Sequence, residues 1–114
     1  MDDNEKRDKG RSLYRQEKEG GIVAVCCGPN GKRLIRAVPS IRAFSNWFEH
    51  TRQMKDVPDQ LLEDDWNLYG AASFYSEILE TLPRSAGQTD EAYAGQLKEL
   101  LRDVISGLDT DLLY

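Results

Sequence analysis

The sequence contains few of the residues that hold metal ions or disulfides. Its 114 residues include one histidine, His50, and two cysteines, Cys26 and Cys27, which are adjacent. Two cysteines cannot form a disulfide framework, and neighbouring strand residues face opposite sides, so the two thiols should not share a metal ion. One histidine and no Cys-x-x-Cys pattern argue against a zinc site. We expect one buried and one half-exposed thiol, with His50 on a helix surface.

Long apolar runs are also missing from the chain. No run approaches the ~20 residues that a membrane-spanning helix needs. Residues 1–9 are charged rather than apolar, unlike a secretory signal. Hydrophobic residues make up 39% of the chain, which is enough for one modest core in a domain of this length. These features predict a cytoplasmic protein without membrane contact.

Charge is distributed unevenly along the sequence. The formal net charge is −5: residues 1–20 are neutral overall, residues 21–55 carry six bases and one acid, and residues 56–114 carry thirteen acids and three bases. The basic segment is either an anion-binding surface or, as we favour, a partner of the acidic segment within the fold or across a dimer. A pI near 4.9 argues against strong unassisted nucleic-acid binding, since phosphate contacts dominate that affinity.

Two short strands are predicted after a charged N-terminal arm or helix over residues 1–20, which we expect to be broken at Gly20-Gly21. Residues 21–27, GIVAVCC, are apolar and β-branched, as in a buried strand. Asn30-Gly31 is a hairpin signal because both residues tolerate positive φ. Residues 32–38 form the returning strand, with Leu34, Arg36 and Val38 on one face.

Three helices and a third strand are predicted in the remainder. One helix opens at Ser40, a second begins near residues 56–58 and ends at Gly70, and a third spans about residues 89–106. Residues 73–81 form a strand between the last two helices, and residues 109–114 form a tail that either frays or packs. The predicted fold is α+β: a small three-stranded antiparallel or mixed sheet, a hairpin plus a third strand, flanked by helices.

This order resembles the GIY-YIG domain, a nuclease module named for a tripeptide on each of its first two strands. Residues 21–23 stand at the first tripeptide, 30–32 at the hairpin turn and 34–36 at the second tripeptide. Residues 62–83, LEDDWNLYGAASFYSEILETLP, match a helix ending in Tyr-Gly and a Phe-containing strand ending in Ile-Leu-Glu. The resemblance covers about residues 21–108 and implies the fold of that family.

The resemblance also implies where catalytic groups would lie, and these positions are degenerate. The family's two tyrosines fall on Val23 and Leu34, and its helix arginine falls on Phe44. The family's metal-binding glutamate falls near Leu101, and Glu99, two residues away, is the candidate carboxylate. Hydrocarbon cannot activate water or balance phosphate charge, so we expect no nuclease chemistry.

The other chemistry-bearing residues have simpler structural interpretations. The acidic run 63–65 is expected to be a solvated helix face, because adjacent helix residues fan out by about 100°. Trp47 and Trp66 have the spacing of core or core-edge residues rather than of a base-stacking platform.

Three functional hypotheses remain. The first is a catalytically inactive GIY-YIG-like domain that binds a protein partner or a second copy of itself, with no cofactor. The second is a nucleic-acid-binding domain that keeps a basic face formed by Lys32, Arg33, Arg36 and Arg42. The third is a divergent endonuclease that depends on a divalent metal such as Mg²⁺, held by Glu99.

Overall fold

The computed structural model describes residues 19–114, so the arm expected over residues 1–18 lies outside the described part of the chain. Six principal elements follow one another: β1 (Gly20–Cys27), β2 (Arg33–Val38), α1 (Ile41–Gln53), α2 (Glu63–Tyr69), β3 (Phe74–Leu82) and α3 (Asp90–Ser106). Short 3₁₀ turns lie at Gln60–Leu62, Ala71–Ser73 and Thr110–Leu112.

The three strands form one antiparallel sheet with the order β2-β1-β3. Every residue of β1 is buried, because this strand has a neighbour on each side and helices over both faces. The hairpin, the third strand and the flanking helices confirm the predicted α+β class. Strand β2 is more exposed than β1, as its mixed pattern predicts.

The core consists of two apolar layers separated by the sheet. One layer packs Val25, Cys27 and Leu34 against side chains that include Phe48 and Trp66 of the helices α1 and α2. The other packs Ile22, Ala24, Cys26 and Ile35 against the apolar side of α3. Adjacent strand residues serve opposite layers, as strand alternation requires. Each large side chain buried in this way contributes about 1.5–3 kcal/mol of transfer free energy.

Both cysteines are buried, so the prediction of one half-exposed thiol is wrong. Cys27 belongs to the layer beneath α1 and α2, and Cys26 to the layer beneath α3. The reason is that helices cover both faces of the sheet. Burial raises the pKa of the Cys26 thiol to about 11, with a smaller contribution from the nearby Glu77 carboxylate.

The hairpin between β1 and β2 is confirmed, and its loop is the stretch 28–31 that the two predicted strands leave between them. Cys27 N–H donates to the carbonyl of Lys32 at 2.9 Å, which closes a four-residue loop. Of the residues in this loop, Gly31 has a positive φ of 73° and Asn30 does not. Asn30 acts through its side chain instead, because its Oδ1 accepts from Lys32 N–H at 2.9 Å.

Strand β1 begins at Gly20, one residue before the predicted start at Gly21. The Gly20 N–H donates to the Tyr93 hydroxyl at 2.7 Å, which ties the first strand to the last helix. A Cβ at Gly20 would lie 2.3 Å from the Val38 carbonyl oxygen, so the close approach requires glycine.

Two of the three helices begin where the sequence places them. The side chains of Ser40 and Thr89 accept hydrogen bonds from Ala43 N–H and Ala92 N–H, as N-cap residues do. The predicted start of the second helix at residues 56–58 is wrong. Asp59 caps a 3₁₀ turn there, and α2 begins only at Glu63.

The remaining predictions concern the tail and membrane-spanning helices. The tail packs: Leu113 forms a parallel bridge with Arg33, and Tyr114 N–H donates to the Arg33 carbonyl at 3.0 Å. Within residues 19–114, none of the helices combines the length and apolarity needed to cross a membrane.

Candidate functional site

The three degenerate motif positions all carry hydrocarbon side chains. Val23 lies in β1, Leu34 in β2 and Phe44 in α1. Val23 is 1% exposed and lies between Arg36 of β2 and Ile78 of β3. Leu34 is 4% exposed, and the half-buried Phe44 packs against the same core layer. Leu34 is buried because it lies on the face of β2 that α1 covers.

Leu34 and Phe44 meet at a small cavity of about 220 Å³. Its apolar wall also includes Val25, Trp47 and Leu62. Val23 does not line this cavity, although it shares a face of β1 with Val25 by strand alternation. Trp47 is a core-edge residue, 48% exposed with its ring 6.1 Å from that of Phe44, while Trp66 is buried.

The polar groups at the rim of this cavity bind each other. Arg36 Nη2 lies 3.2 Å from Asp59 Oδ2, and Arg36 Nη1 donates to the Ile35 carbonyl at 3.3 Å. An exposed ion pair of this kind contributes little to stability, about 0–1 kcal/mol. The pair nevertheless orients the guanidinium along the outer edge of β2.

The four basic candidate residues do not form one continuous face. Arg33 forms an ion pair with Glu77 at 3.4 Å on the α3 side of the sheet, whereas Arg36 pairs with Asp59 on the α1 side. Lys32 Nζ lies 5.7 Å from the centre of the Tyr114 ring, and Arg42 is exposed in the first turn of α1.

Two of these ion pairs join the basic segment to the acidic segment within one chain. The favoured interpretation of the charge distribution therefore holds in part inside the fold. Whether the four bases bind nucleic acid stays a prediction.

The metal-binding position of the resemblance falls on α3, which packs on the sheet face opposite Leu34. Leu101 is half-buried, and Glu99 is exposed two residues earlier. Two residues are about 200° apart around a helix, so Glu99 and Leu101 lie on different sides of α3. Across residues 19–114, no group of three or more His, Cys, Asp or Glu side chains could hold a metal ion.

A polar cluster that the sequence did not predict joins the hairpin, α2 and the tail. Asp65 Oδ2 accepts from Asn30 Nδ2 at 2.7 Å and from the Tyr114 hydroxyl at 2.7 Å. These two hydrogen bonds hold the pKa of Asp65 below its usual value, and the bond from Tyr114 has the larger effect. Burial and the Asp65 carboxylate raise the pKa of Tyr114. Of the acidic run, Glu63 and Asp64 are exposed as expected, whereas Asp65 is half-buried and hydrogen-bonded.

A second opening lies between α3 and the outer edge of β2, and we call it the α3–β2 groove. Its volume is about 660 Å³. The floor is apolar and consists mainly of Ala37, Pro39, Tyr93, Leu97 and Leu101. The charged lining residues are Arg36, Arg84, Lys98 and Asp90, of which Arg84 and Asp90 form an ion pair. This groove could not be predicted from the sequence, because its lining residues come from separate elements.

Comparison with known proteins finds structural similarity to a nuclease domain at low sequence identity. No family model matches, and no curated protein matches. One similar solved structure is the catalytic domain of the homing endonuclease I-TevI, 19% identical, with 75% of this chain and 91% of that chain covered and a TM-score of 0.47.

A single-substitution variant of the same intron endonuclease domain is 20% identical, with 80% and 92% of the two chains covered and a TM-score of 0.46. At these identities the similarity to the GIY-YIG endonuclease domain is one of fold alone.

Proposed function

We propose that this chain is a catalytically inactive domain of GIY-YIG-like fold that acts through contacts with protein. The observation that carries the proposal is the hydrocarbon at Val23, Leu34 and Phe44. Leu34 and Phe44 wall an apolar cavity at the place where the resemblance puts a water-activating tyrosine and a phosphate-binding arginine.

The chemical argument rests on what these side chains cannot do. Valine, leucine and phenylalanine neither exchange a proton nor stabilise an oxyanion. Preorganised electrostatic groups each contribute on the order of 10²–10³ in rate, so replacing all three positions removes most of the acceleration. Arg36 does not substitute for the missing arginine, because Asp59 binds its guanidinium.

A role in protein contacts is supported by apolar side chains that face solvent near α2. Leu61 is 55% exposed and Leu68 is 71% exposed, and the acidic side chains of Glu63 and Asp64 lie between them in sequence. Exposed apolar surface edged by polar groups marks many protein-interaction sites, and for this reason we assign the contact to the surface near α2.

The proposal is tested by incubating the purified protein with supercoiled plasmid and Mg²⁺ or Mn²⁺. We expect no conversion to nicked or linear forms, with or without metal. Cleavage that requires the divalent ion and disappears in a Glu99→Ala variant would overturn the proposal. The matched control is Glu91→Ala, which removes another exposed carboxylate of α3 and should behave as the wild type does.

A further inference from the structure

One of the three cations that line the α3–β2 groove has no ion-pair partner among the described residues. Arg36 and Arg84 are each bound by a carboxylate of this chain, Asp59 and Asp90 respectively. Lys98 is exposed at the rim, and no carboxylate among residues 19–114 forms an ion pair with it. The groove thus offers an apolar floor with a cation beside it, which is the complement of an apolar ridge that carries acidic side chains.

Such a ridge is present on α2 and the turn before it. Leu61, Asp64 and Leu68 are spaced by three and four residues, and all three are exposed. At helical spacing these side chains share one face, although Leu61 belongs to the 3₁₀ turn that leads into α2. Glu63 adds a second exposed carboxylate at the start of the helix. We call these four residues the α2 ridge.

The groove and the first residue of the ridge lie beside each other at the outer edge of β2. Arg36 lines the groove and bonds to Asp59 at 3.2 Å. Asp59 in turn accepts from the N–H of Leu61 at 2.9 Å, so two hydrogen bonds link the groove wall to the first residue of the ridge. A surface that contains both halves of a complementary pair can form a two-fold contact with itself.

We propose that a second copy of this chain docks here, with the α2 ridge of each copy in the α3–β2 groove of the other. This inference rests on the proposed function, since it names the partner of the interaction module. Leu61 and Leu68 cover the apolar floor, and Asp64 faces Lys98 across the contact. Opposite charges at the rim of such a contact set orientation and association rate, while apolar burial supplies most of the affinity.

The composition of the groove favours protein over nucleic acid as the occupant. A phosphate backbone would be recognised by several unpaired cations, but two of the three cations here already hold a carboxylate. The groove is also open along one side, whereas small-molecule sites usually enclose most of their ligand. A side-chain ridge fits both features.

The test is a charge exchange followed by sedimentation velocity over a wide range of protein concentration. The wild type should convert from monomer to dimer as concentration rises. Lys98→Glu alone and Asp64→Lys alone should each raise the dissociation constant about tenfold or more, because each places like charges together. An equimolar mixture of the two variants should dimerise again, since each contact in the mixed dimer then joins opposite charges.

Matched controls are Lys55→Glu and Asp103→Lys, which reverse exposed charges outside the groove and the ridge. Both should dimerise as the wild type does. Circular dichroism verifies that each variant is folded. Leu61→Ser, which removes an apolar contact without a change of charge, should also weaken the dimer and replaces either charge variant that does not fold.

The outcomes separate this inference from the proposed function. A wild-type monomer at every concentration, single variants that dimerise normally, or a mixture that stays monomeric would each overturn the docking surface while leaving the non-catalytic assignment intact. Plasmid cleavage lost in Glu99→Ala would overturn that assignment whatever the oligomeric state. The proposed surface is supported if the single variants are impaired and their equimolar mixture dimerises again.

Discussion

Replacing Tyr93 by phenylalanine isolates the contribution of one buried hydroxyl to the fold. This oxygen accepts from the Gly20 N–H at 2.7 Å and donates to the Leu82 carbonyl at 2.5 Å. It therefore ties α3 to the start of β1 and the end of β3. Tyr93 is 2% exposed and its ring remains in the variant, so the change removes the two hydrogen bonds with little effect on packing.

The expected loss follows from the burial of the two partners. Gly20 is buried, so its N–H is left without a partner in an apolar setting, which costs about 1–3 kcal/mol. Leu82 is half-buried, and its carbonyl can accept from water at a smaller cost. Together these effects lower the free energy of unfolding by about 2–3 kcal/mol. That is a large part of the 5–15 kcal/mol that is typical of a domain.

Urea denaturation followed by tryptophan fluorescence measures this difference in the free energy of unfolding. The midpoint should fall while the slope with denaturant stays constant, since the variant exposes the same surface on unfolding. Tyr69→Phe is the control, because Tyr69 is exposed and should change stability by less than about 0.5 kcal/mol. A loss below about 0.5 kcal/mol for Tyr93→Phe would refute the reasoning.

Three further predictions concern titration and charge. Because the pKa of Asp65 is lowered in the folded state, its contribution to stability is present at neutral pH and is lost as pH falls below the usual aspartate range. In denaturation measured against pH, Asp65→Asn should reduce the loss of stability at acidic pH. An unchanged loss would contradict the role of the Tyr114 hydroxyl. The pKa of Cys26, about 11, lies above its ordinary value of 9.0, so the free energy of unfolding should decline as pH rises from 9 towards 11. A thiol reagent should label Cys26 only when the protein unfolds, and rapid labelling of the folded protein at neutral pH would contradict its burial. If a basic surface binds DNA or RNA, Arg36→Glu with Arg42→Glu should abolish mobility-shift retardation at low salt, whereas no retardation by the wild type removes the nucleic-acid hypothesis.

Local patterns in the sequence were sufficient for the elements and their faces. The apolar run of residues 21–27 became the buried central strand, and alternation in β2 correctly separated Leu34 from Ile35. Ser40 and Thr89 marked helix starts because an N-cap is a contact with residues only three positions away. The same locality explains the misplaced start of the second helix, where Pro58 suggested a first turn but Asp59 caps a 3₁₀ turn instead.

Contacts between distant parts of the chain were beyond such patterns. Asp65 belonged to a run of three acids that looked uniformly solvated, yet its partners Asn30 and Tyr114 lie 35 and 49 residues away. Likewise, nothing near Cys26 in sequence indicates that α3 covers it, and so the prediction of a half-exposed thiol failed.

The chemical identity of the motif side chains was decided by the sequence itself: hydrocarbon at Val23, Leu34 and Phe44 is a property of those residues in any conformation. Tertiary structure alone decided that Leu34 and Phe44 share a cavity, that Arg33 and Arg36 bind separate carboxylates, and that the α3–β2 groove exists. The physical reason is that bonded spacing sets periodicity and caps, whereas a cavity or an ion pair depends on how elements pack across the sheet.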